Sequence, residues 1–388
     1  MRGRSNGFGS LYLRHFGRRP LTPDSEIIAE RRKADLAAEK TRCRGTTEIV
    51  PVSLDAAGRH VAAGGSLAAE WIRPKKADPH RVILYFHGGG YCMGSRATHR
   101  WVAVQLCESA EARGLSVDYR LAPEHPFPAA LDDAVSAYRW LLSQGISPDS
   151  IVLAGDGAGG GLALSTAMAL RDGGAPLPKA LVLLSPWTDL ALTGWSLLSN
   201  ADKDVALRWQ TLAVSARHYL KHTLPTHPFA SPYFGRFDGL PPMLIQAGSD
   251  ELLRDDATRV AEKAEAAGVD VNCEIWERMS HLFQLHSTTS ETKGAIARVG
   301  TFVRSRTPPP KPGAAAPVRV GQRRFVPAEP PQAPAPAPIP EPTPAPSFAK
   351  AAGVGLSNAA GGAAPVRETP APARTESFFR RAFPRAAE

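Results

Sequence analysis

The sequence predicts an α/β fold in which a mostly parallel central sheet is flanked by helices. Five short apolar runs rich in β-branched residues have the length of strands, at residues 82–86, 151–155, 180–184, 243–247 and 271–276. Helix-like segments alternate with them, for example at 98–113 and 128–144. This alternation is typical of parallel sheets, and the runs are continuously apolar, as strands buried on both faces are.

Composition divides the chain into three parts. Residues 1–45 are rich in charge and are interpreted as amphipathic helices that form an N-terminal helical cap. Residues 46–305 contain the predicted strands and form the core, with a cap-like helical insertion at about 195–225. Residues 306–388 hold about half of the 36 prolines and are rich in alanine, so we expect a disordered tail there.

The charge balance argues against nucleic acid as a partner. The formal net charge is +9, but the tail alone contributes 11 Lys and Arg against 5 Asp and Glu. The folded part therefore carries only a small positive charge and needs no polyanion. Apolar runs with the length of a transmembrane helix or a signal peptide are absent from the sequence, so we expect a cytoplasmic protein without a transmembrane segment.

The cysteines do not indicate metal chemistry. Cys43, Cys92, Cys107 and Cys273 are far apart in the sequence and lack the spacing of a zinc site. They are interpreted as buried free thiols. Neither a metal nor a cofactor is predicted.

The first candidate functional loop is the stretch His-Gly-Gly-Gly-Tyr at 87–91, directly after the strand predicted at 82–86. Glycines allow a ligand to approach the backbone closely, and successive N–H groups can converge on a developing oxyanion. A glycine-rich turn without function is the alternative interpretation. The preceding strand and His87 favour an oxyanion loop.

The second candidate is Gly-Asp-Gly-Ala-Gly at 155–159, between a predicted strand and a helix predicted at 160–171. A sharp strand-to-helix turn with flanking glycines is the setting of a nucleophile elbow, G-x-S-x-G, but the central residue here is Gly157. The spacing also fits the dinucleotide-binding pattern G-x-G-x-x-G. That pattern expects an acidic residue about 20 positions later, where this chain has Leu-Pro-Lys at 177–179.

Two further stretches supply a candidate acid and a candidate base. Asp250 and Glu251 follow the fourth predicted strand, at the carboxyl edge of the sheet where ligands bind in such folds. Asp255 and Asp256 are explained well by the preference for acidic residues at a helix N-terminus. His281 follows the fifth predicted strand and can act as a general base whose tautomer is fixed by a carboxylate.

In the chain order nucleophile position, acid, histidine, these motifs resemble the bacterial hormone-sensitive-lipase family of esterases, which has an α/β-hydrolase fold. The resemblance extends over about residues 50–304, and the stretches 119–130 and 183–189 are similar to recurrent stretches of that family. It implies an α/β-hydrolase with a helical cap and a carboxylic ester hydrolase activity.

The resemblance also implies a role for each site residue. The N–H groups expected to form the oxyanion hole are those of Gly88, Gly89 and Ala158. His281 is the expected base. An ungapped alignment with the family pattern Asp-x-Leu-x-Asp puts Glu251 at the acid position and Asp250 one residue away, so Glu251 is preferred.

The departure from the family is Gly157, which stands where a covalent mechanism needs a nucleophile. Loss of the nucleophile costs a serine hydrolase about 10⁶ in turnover, while oxyanion donors and binding alone leave roughly 10³- to 10⁴-fold acceleration over water. One hypothesis is a hydrolase of short-chain acyl esters with strongly impaired activity. The other is a pseudoenzyme that binds a small hydrophobic ester or acid in the former acyl pocket without hydrolysing it.

The end of the tail is a candidate for an interaction with a partner. Residues 375–385 mix aromatic and basic side chains, which suits docking to a partner or to an anionic membrane surface. A disordered tip is the alternative. A homodimer is compatible with the sequence, although none of the motifs above requires one.

Overall fold

The computed structural model describes residues 24–39, 47–54, 67–285 and 289–308. Within them the chain forms an eight-stranded sheet in the order β1-β2-β4-β3-β5-β6-β7-β8. The strands are β1 (Glu48–Leu54), β2 (Leu67–Arg73), β3 (Asp78–Phe86), β4 (Ala112–Val117), β5 (Ile151–Asp156), β6 (Ala180–Leu184), β7 (Met243–Gly248) and β8 (Val271–Trp276). Strands β3 to β8 are parallel, whereas β2 is antiparallel to β1 and β4. The predicted fold class is confirmed.

The five predicted strands are present as β3, β5, β6, β7 and β8. In β5 and β6, at the centre of the sheet, every residue is buried. Burial from both faces explains why these strands are continuously apolar in sequence rather than alternating.

Three strands, β1, β2 and β4, are absent from the sequence-based prediction. The helix predicted at 98–113 is wrong at its C-terminal end, because the helix ends at Ala110 and β4 begins at Ala112. Glu111 lies between them in a left-handed conformation with a φ of 50°. Polar residues or glycine at three of the six positions of β4 interrupt its apolar residues, so the pattern of a buried strand is lost.

Eight α-helices lie within the described residues, and four of them pack together in two pairs. They are α1 (Asp24–Glu39), α2 (Arg96–Ala110), α3 (Ala129–Ser143), α4 (Ala158–Asp172), α5 (Ser196–Ser199), α6 (Trp209–Leu220), α7 (Arg254–Ala266) and α8 (Ser290–Arg306). Helix α2 packs against α8, and α3 packs against α4. Because α4 follows β5 directly and contacts β5 and β6, its N-terminus lies at the carboxyl end of the central strands.

The N-terminal helix α1 docks through Arg31. The Arg31 guanidinium donates to the carbonyl oxygens of Cys92, at 2.8 Å, and Ala122, at 2.6 Å. It also pairs with the Glu124 carboxylate at 2.8 Å. These contacts hold α1, which lies within the predicted cap at 1–45, against two segments, one at Cys92 and one at 122–124. The rest of the predicted cap, at 1–23 and 40–45, lies outside the described residues.

The predicted insertion at 195–225 is helical in two pieces, α5 and α6, with turns between them. Helix α6 buries Leu212, Ala216 and Tyr219. The Tyr219 ring stacks on the ring of Tyr91, with 3.8 Å between centroids and 5° between planes. Helix α6 therefore covers the loop at 87–91.

The predicted tail falls almost entirely outside the described residues, which end at residue 308. This holds for the tip at 375–385 as well. Among the described helices, none is both long enough and apolar enough to cross a membrane.

Candidate active site

The elbow at 155–159 joins β5 to α4, and Gly157 is the residue at the turn. Gly157 has a φ of 52° and a ψ of −118°, a backbone conformation that residues other than glycine adopt only with strain. Its N–H donates to the Leu184 carbonyl at 2.9 Å, and its carbonyl accepts from the Trp187 N–H at 2.8 Å. The end of β6 and the loop after it therefore fix the turn.

The three glycines of the elbow differ in the space around them. A Cβ atom added to Gly155 would lie 2.3 Å from the Gly159 carbonyl oxygen, and one added to Gly159 would lie 2.0 Å from the Phe86 carbonyl oxygen. A Cβ on Gly157 would meet nothing closer than His281 Nε2, at 3.6 Å. Close backbone packing thus requires glycine at the two flanks, whereas the centre has room for a side chain.

His281 and Glu251 form a buried pair beside Gly157. His281 Nδ1 lies 2.9 Å from Glu251 Oε2, and the two side chains are 4% and 0% exposed. Burial raises the pKa of Glu251, and the hydrogen bond with His281 opposes that rise. With Nδ1 directed to the carboxylate, Nε2 is the ring nitrogen that faces Gly157, which is the geometry of a general base.

Asp250, the alternative acid, faces elsewhere. Its side chain is only half-buried and accepts a hydrogen bond from Ser249 Oγ at 3.1 Å. Its backbone N–H donates to the Met279 carbonyl at 3.1 Å. The structure places Glu251, not Asp250, beside His281.

A second set of polar groups holds this pair in place, and sequence reasoning missed it. Glu251 Oε1 accepts from the Gly248 N–H at 2.8 Å. The Ser185 hydroxyl contacts Glu251 and accepts from the Leu282 N–H at 3.2 Å. Ser185 follows β6 directly, and that position at a strand end is the signal that could have found it.

The helical insertion at 195–225 also stabilises the backbone at Glu251. Asp204 is buried and accepts from the Leu252 N–H at 2.8 Å, while the Asn200 side-chain amide donates to the Glu251 carbonyl at 2.9 Å. Both residues lie in the turns between α5 and α6. The segment that covers the site thereby holds both polar groups of the peptide bond between Glu251 and Leu252.

One expected oxyanion donor is engaged elsewhere. The Gly88 N–H donates to Asp156 Oδ1 at 3.0 Å, within the interior. The residues of this loop that line the cavity are Gly89, Gly90 and Met93. Ala158, at the first position of α4, lines the same cavity. The donors next to Gly157 are therefore better sought at Gly89, Gly90 and Ala158 than at Gly88.

Asp156 connects the loop at 87–91 to the elbow. Its carboxylate accepts from the Gly88 N–H and the Tyr85 hydroxyl and lies 3.4 Å from His99 Nε2. Burial would raise the pKa of Asp156, but the neighbouring His99 and the hydrogen bonds from His99 and Tyr85 outweigh burial, so the pKa lies below its usual value. An ionised carboxylate here holds the loop at 87–91 against the residue that precedes Gly157.

The cavity beside Gly157 is small and mainly apolar, with a volume of about 70 Å³. It is lined by Gly89, Gly90, Met93, Gly157, Ala158, Trp187, Leu207, Thr211, Leu212, Ser215, Leu253, His281 and Leu282. Helix α6 closes one side, because Thr211, Leu212 and Ser215 belong to it. Among the residues that the structure describes, no group of three or more His, Cys, Asp or Glu side chains could hold a metal ion.

A family model described as an α/β-hydrolase fold matches residues 83–285, which is just over half of the chain. The chain belongs to this α/β-hydrolase family. The matched span includes the loop at 87–91, the elbow, Glu251 and His281.

Relatives of this α/β-hydrolase are esterases. An acetyl-hydrolase of Streptomyces hygroscopicus is 46% identical over 248 residues, or 64% of this chain and 83% of the relative. An esterase of Acinetobacter venetianus is 39% identical over 232 residues, or 59% of this chain and 77% of the relative. The crystal structure of an esterase from the bacterial hormone-sensitive lipase family has a TM-score of 0.70 and 38% identity, covering 77% of this chain and 97% of that chain. By family and relatives, this α/β-hydrolase is of the carboxylesterase and lipase type.

Proposed function

We propose that this α/β-hydrolase carries the site of a hydrolase of short-chain acyl esters, of the bacterial hormone-sensitive-lipase kind, whose covalent route is lost at Gly157. The supporting observation is the position of His281: its Nε2 lies 3.6 Å from the point where a Cβ on Gly157 would stand. A serine there would place its hydroxyl within reach of the imidazole. The base and its acid are thus arranged for a nucleophile that the chain does not have.

The remaining groups support a slow route through water. His281 Nε2 can take a proton from a water molecule in the space beside Gly157, while Glu251 stabilises the imidazolium that forms. Gly89, Gly90 and Ala158 line the same cavity, and their N–H groups are the donors that would stabilise the oxyanion of the tetrahedral intermediate. Without a covalent nucleophile, we expect roughly 10³- to 10⁴-fold acceleration over water at most.

Ligand binding without hydrolysis is the second candidate function. The observation that favours it is the left-handed φ of 52° at Gly157, which glycine adopts freely and which costs other residues about 1–3 kcal/mol. Glycine therefore leaves the turn unstrained and the apolar cavity intact, so that a small hydrophobic ester or acid can occupy it.

The decisive experiment compares the natural chain with Gly157→Ser on p-nitrophenyl acetate and butyrate. Because a missing serine costs about 10⁶ in turnover, we expect the substitution to raise kcat/KM at least ~10³-fold. The control is Gly157→Ser combined with His281→Asn, which should return to the level of the natural chain.

Two results would contradict the proposal. The first is a Gly157→Ser variant that folds, with an unchanged melting temperature, but hydrolyses neither ester. The second is a natural chain that already hydrolyses them at ordinary esterase rates without dependence on His281.

A further inference from the structure

Gly157 leaves a defined volume between its Cα and the His281 ring. The built Cβ position lies 3.6 Å from Nε2, 3.8 Å from Cε1 of the same ring and 3.9 Å from Leu282 Cδ1. These are ordinary van der Waals distances, so the space of a CH₂OH group is open at this point. It is continuous with the apolar cavity, which Gly157, His281 and Leu282 all line.

We propose that the natural chain binds short-chain monocarboxylic acids, with one carboxyl oxygen in the space that a serine hydroxyl would fill and the alkyl chain in the apolar cavity. This proposal rests on the proposed function, because it uses the same site. It differs from it in selecting the free acid, rather than the ester, as the ligand of the natural protein.

The polar groups around this space suit a carboxyl group. His281 is 4% exposed, and its Nε2 is directed at the space while Nδ1 is held by Glu251. On the other side lie Gly89, Gly90 and Ala158, the last at the start of the 15-residue helix α4. Backbone N–H groups at a helix N-terminus favour negative charge. One carboxyl oxygen can therefore meet Nε2 and the other the backbone donors.

The proton balance makes the acid a better ligand than its anion alone. With Nδ1–H donated to Glu251, Nε2 can hold a carboxyl oxygen only through a shared proton, because its lone pair would repel that oxygen. One proton therefore lies between the bound ligand oxygen and Nε2. The charged groups around the ring are then Glu251 and the bound carboxylate on opposite nitrogens, with Asp204 beyond Glu251.

The form of the cavity favours acids with a short unbranched chain. The volume of about 70 Å³ is limited, and Met93, Trp187 and Leu212 supply apolar walls. An acid can share its proton with Nε2 of the imidazole. An ester in the same orientation has an alkyl group in place of that proton, so it cannot make this hydrogen bond. A primary amide has the same shape as the acid but does not ionise near neutral pH and carries no charge.

The experiment measures calorimetric binding of butyrate to the full chain, with butyramide as the matched neutral ligand. Because only butyrate forms a charge-assisted hydrogen bond with Nε2, it should bind roughly 10- to 100-fold more tightly than butyramide. Titrations in two buffers of different ionisation enthalpy should show proton uptake when butyrate binds and none when butyramide binds.

Gly157→Ser provides a reciprocal test. The serine side chain fills the space with CH₂OH, so the affinity for butyrate should fall at least ~10-fold. The variant should gain ester hydrolysis at the same time. The gain of hydrolysis also demonstrates that the variant is folded. His281→Asn should remove both the preference for butyrate over butyramide and the proton uptake, with the melting temperature as the check on folding.

The outcomes separate this proposal from the proposed function. If Gly157→Ser hydrolyses esters but the natural chain binds butyrate no better than butyramide, or if Gly157→Ser binds butyrate as tightly as the natural chain, the acid-binding proposal is overturned and the proposed function stands. If the natural chain prefers butyrate and Gly157→Ser stays inactive in a folded state, the acid site stands and the hydrolase interpretation fails.

Discussion

The acid–base region and the elbow region meet at the same cavity, and they differ in what they contain. In the acid–base region, Glu251 and His281 are bonded to each other, and Ser185 and Asp204 support them from two directions. In the elbow region the backbone is held just as closely, but the central residue, Gly157, has no functional group.

The difference between the two regions shows which residues of the elbow the packing of the fold requires. The two flanking glycines of the elbow are imposed by backbone packing, since a Cβ at either would lie within 2.3 Å of a carbonyl oxygen. The centre is constrained only by its φ and not by its neighbours. Glycine at this position leaves the acid–base region intact, because that region takes its support from β6, β7 and the insertion rather than from the elbow.

The largest effect is expected when the acid is replaced in a variant that carries a serine at position 157. In a Gly157→Ser background, Glu251→Gln should lower kcat for p-nitrophenyl butyrate by about 10⁴-fold, because the imidazolium loses its counter-charge and the imidazole its fixed tautomer. Asp250→Asn is the matched control, one residue away and half-buried, and should change kcat little. Equal losses from the two substitutions would disprove the assignment of the acid.

The next effect compares two glycines of the elbow. Gly159→Ala should lower the free energy of unfolding by about 3 kcal/mol or more, because its Cβ would overlap the Phe86 carbonyl oxygen. Gly157→Ala should cost only about 1–2 kcal/mol, from its positive φ. Chemical denaturation of both variants measures the difference. A Gly157→Ala variant as unstable as Gly159→Ala would show that the space beside His281 is not open.

A smaller effect on kcat is expected from changing Asp156, which connects the elbow to the loop at 87–91. In the Gly157→Ser background, Asp156→Asn should lower kcat by roughly 10- to 100-fold with little change in KM, because the Gly88 N–H loses about 1–3 kcal/mol of charge-assisted hydrogen bonding and the loop shifts. Tyr85→Phe is the control, since it removes another donor to the same carboxylate but leaves the Gly88 contact. Loss of stability without loss of kcat in Asp156→Asn would assign Asp156 a structural role only.

The smallest effect concerns a buried carboxylate near the acid–base region. Burial raises the pKa of Asp256 to about 7, and its carboxylate accepts from the N–H groups of Thr188 and Asp189. A raised pKa means that the folded state holds the proton more tightly, so this group stabilises the fold at low pH and the contribution is lost as pH rises through about 7. Asp256→Asn keeps an acceptor but has no charge to bury.

We therefore expect the stability difference between Asp256→Asn and the natural chain to shift in favour of the variant by at least about 1 kcal/mol from pH 5 to pH 8. Denaturation midpoints at several pH values measure it. A difference that does not change with pH would mean that Asp256 is ionised over the whole range in the folded state.

Much of the site could be predicted because its residues lie in short local sequence patterns, each directly after a strand. The strands β5 and β7 are mainly apolar runs, whereas β8 at the sheet edge is only partly buried and contains Asn272 and Glu274. The elbow, Glu251 and His281 follow these three strands in the chain. Parallel strands bring their carboxyl ends to one edge, so order along the chain was sufficient to place these residues together. The strands β1, β2 and β4 were not predictable in this way, because they lack that continuous pattern.

The sequence by itself determined the α/β fold, the elbow and the absence of a nucleophile at Gly157. The tertiary structure decided which carboxylate meets His281, that the Gly88 N–H belongs to Asp156, and that α6 closes the cavity. The physical reason is that these contacts join residues 30 or more positions apart, at 30 for Glu251 and His281 and 68 for Gly88 and Asp156. A hydrogen bond tolerates only a few tenths of an ångström, and that precision comes from strand register and packing rather than from local pattern.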